Sequence, residues 1–455
     1  MGAAAAFHPA VRPLGLAARL SAAFAAGAVG LTVEAVLFSL LRVRWTVAGL
    51  CLPLLVLSSL GAVLWSRRPP SRSLSGAFQP GVVIGSLSVL AVCLALAHLT
   101  ASLVTARSTS VDYVFFWGVK AARFATVRGI DVRLLKWPFF VHAVPDYPPL
   151  VPVVGAWSAL VSGRMHWQAG LLAAVLWLAA AAPIVLVLLR RRLPDGAAAA
   201  VTAFWTVALA VSLASSYCGG NAEAPLLFFE TVAGAALLCE GKEDPPESRF
   251  LPALALAGAV LTKVEGTVGA ALLVAGVLLR DHLENRRRVL SRGLPLVAAT
   301  LGGLFLWFGF QLATGLEPGY RAHGAPLDLH FEHLGAILAS AFVHLDAGTA
   351  GVSWLFPAVV LLVLGRDRRA GLPALVFAAG LAVFLLFDYL HDSGDPWLRI
   401  GWTLPRVSQP ALSLLILAAG ASSFSRMSRR DEARPQTGAA GVALEHPVLS
   451  RGGTT

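Results

Sequence analysis

Charge is scarce in this chain: Asp, Glu, Lys and Arg together make up 13% of 455 residues, about half the share of an ordinary soluble domain. That deficit excludes a typical cytosolic protein. Cysteine is scarcer still, and its four residues (Cys51, Cys93, Cys218, Cys239) are scattered without metal-ligand spacing, so neither a disulfide scaffold nor cysteine chemistry is a theme. No glycine-rich phosphate loop enters a helix, and neither an H-E-x-x-H pair nor a G-x-S-x-G elbow occurs. Nucleotide hydrolysis, zinc proteolysis and triad hydrolysis therefore lack support.

What the chain has in abundance is apolar sequence. Hydrophobic residues reach 57% and mean hydropathy is +0.72, with runs longer than a globular core helix needs, so lipid is the solvent for most of it. The pattern predicts an all-α, polytopic integral membrane protein of about twelve spans: 20 to 41, 46 to 65, 81 to 105, 167 to 189, 197 to 216, 225 to 240, 251 to 262, 267 to 280, 294 to 313, 351 to 365, 371 to 388 and 408 to 424. These form one transmembrane domain, 1–424, followed by a disordered cytoplasmic tail, 425–455, rich in Arg, Gly, Ala and Pro. The first apolar stretch outruns a cleaved signal and reads as the first span, and Ala6 stands where a myristoylation signal wants Ser or Thr.

A net charge of +11 suggests nucleic acid only if the cations form a face. Their placement marks one side of a membrane instead, and no nucleic-acid partner is expected. With both termini cytoplasmic, the inner segments hold 23 of the 36 basic residues, including Arg190, Arg191, Arg192, Arg249, Arg280 and Arg292. Arg42 and Arg44 dissent, falling in an outer turn where they can only snorkel.

Inner loops are short and arginine-rich, whereas the extracytoplasmic segments 106–166, 314–350 and 389–407 are long and chemically mixed. Long loops of that kind usually carry function. The first contains SVDYVFFWGVKAARF, with Ser110 as a cap candidate and Asp112 either a helix-end partner or a chemical group. Lys120 and Arg123, three residues apart, share a face that suits a lipid phosphate or simply a solvated helix side. Next come WPFF (137–140) and PDYPPL, with Asp146 and Tyr147 among prolines that forbid regular helix, then an apolar stretch 150–162 too short to span and expected to lie along the interface.

Two further points interrupt the apolar pattern. Lys263 and Glu265 in LTKVEG stand at the outer junction of two short spans, as a structural pair or as part of a site; Asn221 and Glu223 lie in the turn before the sixth span. Glu34 is a lone carboxyl within the first span, a structural contact or a proton relay. His330 and His333, near His323, Asp328 and Glu332, could chelate a metal on one turn but lack a third convincing ligand, so a surface amphipathic helix is the simpler reading. His391, Asp392, Asp395 and Arg399 read as a solvated loop.

Acids and bases gathered on the outer face of a many-helix bundle suit a water-borne acceptor meeting a membrane-borne, phosphate-bearing donor. The ordered set of Asp112 with FFWGVKAARF, PDYPPLVP, NAEAPL, LTKVEG and LPRVSQP (404–410) resembles bacterial membrane glycosyltransferases of the GT-C class. Within that class it is most similar to family 39-like enzymes allied to protein mannosyltransferases and lipid A aminoarabinose transferases. The likeness covers about residues 80 to 424. It implies an inverting transfer of a hexosyl or pentosyl group from a polyprenyl-phosphate donor to a glycan, lipid or protein acceptor of the cell envelope, in the bacterial inner membrane. Asp112 would then be the general base; Lys263 and Arg406, with Lys120 and Arg123 as further candidates, would serve the donor phosphate; and Asp146, Tyr147, Asn221, Glu223 and Glu265 would shape the site. Relatives often carry Asn where this chain has Val264, and many pair the aspartate with an acidic neighbour where this chain has Tyr113. No cofactor is called for, and a divalent metal stays open, with Tyr113 speaking against it. Two other classes fit many spans and a basic headgroup site: a flippase or polymerase component for lipid-linked sugars, and a non-catalytic scaffold. A transporter predicts repeat symmetry and polar groups deep in several spans, and neither is evident.

Overall fold

The structure is a computed structural model that describes residues 2–68, 79–105, 110–215, 219–241, 244–284, 286, 289–317, 328–348, 368–391 and 394–432. Among these residues the protein is all-helical, with no β-strand. A short α1 (Gly2–Phe7) precedes α2 (Gly15–Leu40), α3 (Val47–Ser66) and α4 (Val82–Val104). The first long loop folds into a π-helical turn (Tyr113–Trp117) and three helices, α5 (Gly118–Val127), α6 (Val132–Leu135) and α7 (Leu150–Ser162). Then come α8 (Trp167–Leu189), α9 (Asp195–Ser215), α10 (Glu223–Leu238), α11 (Phe250–Thr262), α12 (Val264–Glu284) and α13 (Val289–Thr314). The last four are α14 (Leu334–Gly348), α15 (Arg368–His391), α16 (Pro396–Val407) and α17 (Gln409–Glu432).

Eleven of the twelve expected spans coincide with helices, and the twelfth, 351 to 365, lies outside the described residues. Among the described residues seven helices are long and apolar enough to cross a membrane, or eight if the bent pair α16 and α17 counts as one span. This is an integral membrane protein. Helix α17 runs to Glu432, and residues 433–455 of the expected tail lie outside the described residues.

Helices α3 and α4 display Leu52, Leu55, Val83 and Leu87 on their surfaces, which suits lipid contact. By contrast α10 is buried along its whole length and forms the axis on which α8, α11, α12, α15 and α17 pack. Between helices already in lipid, apolar burial supplies little drive, so close packing at small residues must do it. Gly258 on α11 admits the ring of Phe229 on α10, where a Cβ would overlap it.

The chain between α11 and α12 reverses at one residue. Lys263 has an extended backbone (φ −158°, ψ 158°), and Arg249 at the start of α11 bonds Asp281 near the end of α12 at 2.8 Å. The two helices are therefore antiparallel, with Lys263 at one end of the bundle. At the opposite end Arg249 and Arg280 both reach Glu240 (2.7 and 2.8 Å), Arg191 approaches Asp244 (3.7 Å), and Arg192 and Arg292 donate to the carbonyls of Glu240 and Gly241. Each polar cluster sits at helix ends rather than mid-span, which limits the cost of desolvating charge.

Candidate active site

The loop that carries Asp112 is held by backbone contacts. Ser110 Oγ accepts from Asp112 N (3.1 Å), and Ser110 N donates to Gly219 O (3.2 Å). Tyr113, buried, donates its hydroxyl to Trp167 O (2.8 Å), and its ring lies flat against Gly220. Only glycine fits there, because φ is +80° and a Cβ would enter the ring. These contacts bring the Asp112 turn to the segment that begins α10, where Asn221 Oδ1 accepts from Glu223 N (3.2 Å). The Asp112 side chain does not cap the following helix; its Oδ2 instead takes a 2.6 Å hydrogen bond and ion pair from Arg406 Nη1, near the end of α16.

From Arg406 the cluster continues. Its Nη1 is 3.8 Å from Glu223 Oε1, which also accepts from Lys263 Nζ at 3.2 Å. Lys263 in turn pairs with Glu265 at 2.8 Å and stands 5.9 Å over the Tyr147 ring. Five charged groups, Asp112, Glu223, Lys263, Glu265 and Arg406, drawn from four stretches of sequence, thus meet at one end of the bundle. Three carboxylates face two cations. Burial works against the Lys263 charge, yet Glu223 and Glu265 hold its pKa well above the usual lysine range. Burial first, and Glu265 second, raise the Tyr147 phenol, keeping it neutral.

The remaining expected site residues are placed differently. Lys120 and Arg123 do not form a shared cationic face at the cluster, because Lys120 turns inward. Its Nζ is buried, donates to Val144 O at 2.6 Å and lies 5.2 Å over the Trp117 ring. Burial lowers its pKa to about 7. Arg123 pairs with Asp131 at 2.6 Å, and Asp131 also caps α6 through Leu134 N. Asp146 is buried beside the cluster; its carbonyl accepts from Trp307 Nε1 (2.6 Å) and Gln311 Nε2 (3.0 Å), while its Oδ1 has no partner among the described residues. Glu34 is buried in α2, and neither carboxyl oxygen has a partner there.

His330 meets Glu332 at 3.0 Å and stacks on His333. Among the described residues no three His, Cys, Asp or Glu side chains converge as metal ligands. In the last loop Asp395 caps α16 and Arg399 pairs with Asp388; His323, Asp392, Tyr217 and Cys218 are outside the described residues. Sequence reading missed Trp307, Gln311, Asp131 and Gly220. Trp307 and Gln311 did leave a signal: two side chains with polar donors at i, i+4 spacing in an otherwise apolar span share one face.

Beside the cluster lies an apolar cavity of about 310 Å³, bounded by Tyr113, Trp117, Trp157, Trp177 and Pro225, with Asn221 at its edge. Asn221 Nδ2 is buried without a partner among the described residues. Arg406 and Lys263, which both approach Glu223 Oε1, can offer positive charge to an anion, Asp112 can offer a carboxylate to a hydroxyl, and the cavity can shelter an apolar group alongside.

No family model matches the chain, and no curated protein matches it. Among solved structures it is similar to the crystal structure of ArnT from Cupriavidus metallidurans bound to undecaprenyl phosphate, at 18% identity and a TM-score of 0.49. The match covers 73% of this chain and spans 60% of the length of that one.

Proposed function

We propose that this protein is a GT-C-type glycosyltransferase that moves a sugar from a polyprenyl-phosphate donor to an acceptor hydroxyl, with Asp112 as general base. The observation that carries the reading is the 2.6 Å contact of Asp112 with Arg406, in a cluster that also holds Lys263. A base and two cations are what such a transfer needs. The acceptor oxygen forms a bond to the anomeric carbon with inversion, the carbon–oxygen bond to phosphate breaks, Asp112 takes the hydroxyl proton, and the polyprenyl phosphate departs with added negative charge. Arg406 and Lys263 stabilise that charge.

The pairings suit this sequence of events. A donor phosphate competes with Asp112 for the Arg406 guanidinium, and the carboxylate is thereby released to accept a proton. The excess carboxylate of the cluster keeps the cations neutralised until the phosphate arrives. In this reading the cluster faces the extracytoplasmic side of the bacterial inner membrane, the termini are cytoplasmic, and the acceptor is a cell-envelope glycan, lipid or protein.

Asp112→Asn is the decisive test, on purified protein in nanodiscs with a polyprenyl-phosphate sugar. The amide keeps the size and cannot usefully take the proton, so transfer should fall on the order of 10² to 10⁴-fold with donor binding retained or slightly tightened. Transfer at the parent rate would remove Asp112 from the role. A parent protein that carries the lipid across a bilayer without cleaving it is a transporter.

A further inference from the structure

Lys120 is a buried amine outside the charged cluster, and the proposed transfer gives it no chemical task. Its Nζ donates to Val144 O, and the same carbonyl accepts from Tyr147 N at 3.1 Å. Val144, Pro145, Asp146 and Tyr147 thus form a β-turn with proline at its second position, where φ is already fixed near the required value. Val144 itself is held at φ +44°, a left-handed conformation that a β-branched residue adopts only when its surroundings impose it. The turn is clamped at a second point, where Trp307 and Gln311 of α13 donate to the Asp146 carbonyl. Its last residue, Tyr147, lies over Lys263 Nζ and packs against Trp117, ring centroids 5.8 Å apart. Trp117 in turn lies under Lys120 Nζ.

We infer that Lys120 is a positioning residue: by holding the Val144 carbonyl it fixes the turn that sets the Tyr147 ring against Lys263. The inference rests on the proposed role of Lys263 at the donor phosphate. A neutral amine and an ammonium both donate N–H, so the clamp works in either protonation state. Displacements of about 1 Å at a reacting centre can cost on the order of 10²-fold in rate, and the lost clamp should act on turnover more than on donor affinity, because Lys263 itself remains.

The test combines hydrogen exchange with a double-mutant cycle. In Lys120→Met the Tyr147 amide should exchange at least tenfold faster, while amides within α10 and α13 keep their protection. Turnover should fall about tenfold or more with donor KM changed less than threefold. In a Tyr147→Ala background, Lys120→Met should add little further loss, since the path to Lys263 is already cut. Should Lys120→Met not fold, Lys120→Gln, too short to reach Val144, is expected to give the same exchange signature. Unchanged exchange at Tyr147 overturns the inference, and so do losses that multiply in the two backgrounds. A parent protein that transfers no sugar from a polyprenyl-phosphate donor sinks the functional reading instead, and the exchange measurement still decides whether Lys120 holds the turn.

Discussion

Lys263 and Arg406 are both cations of one cluster, yet their environments predict different consequences of removal. Lys263 is buried between Glu223 and Glu265, and deleting it leaves two carboxylates facing each other; breaking such a pair typically costs about 3–5 kcal/mol. Arg406 is more accessible and shares its charge with Asp112, so its loss should cost less stability. Lys263→Ala should therefore lower the melting temperature markedly, Arg406→Ala only slightly, and both should weaken use of the lipid donor. Adding Glu223→Gln to Lys263→Ala should recover part of the stability without recovering donor use. Thermal unfolding and donor titration of the three variants check this; full donor turnover in both single variants would make the cations structural.

Lys120 carries a pH signature of its own. Its pKa in the fold is about 7 against 10.5 for a free lysine. Between those values the unfolded chain binds the proton and the native one does not, so stability rises with pH through that window, by up to about 1.4 kcal/mol per unit. Below pH 7 both states are protonated and the slope vanishes. The stability of the parent relative to Lys120→Met should accordingly improve from pH 7 to 10, read as a difference in melting temperature. Which residues carry charge at the site was legible from the sequence, because Asp112, Glu223, Lys263 and Arg406 are costly in an apolar chain. Which way each points was not. Lys120 and Arg123 share a spacing but not an environment: one finds a carbonyl and a ring, the other Asp131, partners that no helical periodicity encodes.

At the scale of elements, hydrophobic runs located the helices, since a run of about twenty apolar residues leaves the backbone no alternative to internal hydrogen bonding. The reversal at Lys263 was legible too, from a cation at the junction of two short runs. The central position of α10 was not, because its composition differs little from that of its neighbours and only packing decides it. Gly258 illustrates the difference. It lets Phe229 of α10 lie against α11, and α11 ends at Lys263, so Gly258→Val should cost about 1–3 kcal/mol by overpacking and reduce donor use by shifting that end. Gly309 on α13 has open space where a Cβ would go, and Gly309→Ala should be neutral or mildly stabilising. Equal effects of the two substitutions on melting temperature and turnover would show that packing at α10 does not set the site.

At the scale of the whole molecule, the charged clusters among the described residues lie at two ends, while Glu34 and Glu230 are buried singly within α2 and α10. One end holds Asp112, Glu223, Lys263, Glu265 and Arg406; the other holds Arg191, Arg192, Arg249, Arg280 and Arg292 with Glu240, Asp244 and Asp281. The first long loop belongs to the former, since Trp45 N donates to Arg128 O at the turn between α2 and α3, while His8, before α2, stacks on Phe250 at the arginine end. This places Arg42 and Arg44 at the site end, exposed, where they oppose the general bias. Arginine on short loops is retained on the cytoplasmic side, so reporter fusions at residues 193, 245 and 286 should report cytoplasm, and those at 130, 220 and 395 the outside. Replacing Arg190, Arg191 and Arg192 together should weaken that preference, because it rests on these short-loop cations and not on the two dissenting ones. A reporter pattern inverted in the parent would put Asp112 in the cytoplasm, where an extracytoplasmic acceptor cannot reach it, and the proposed transfer would fail with it.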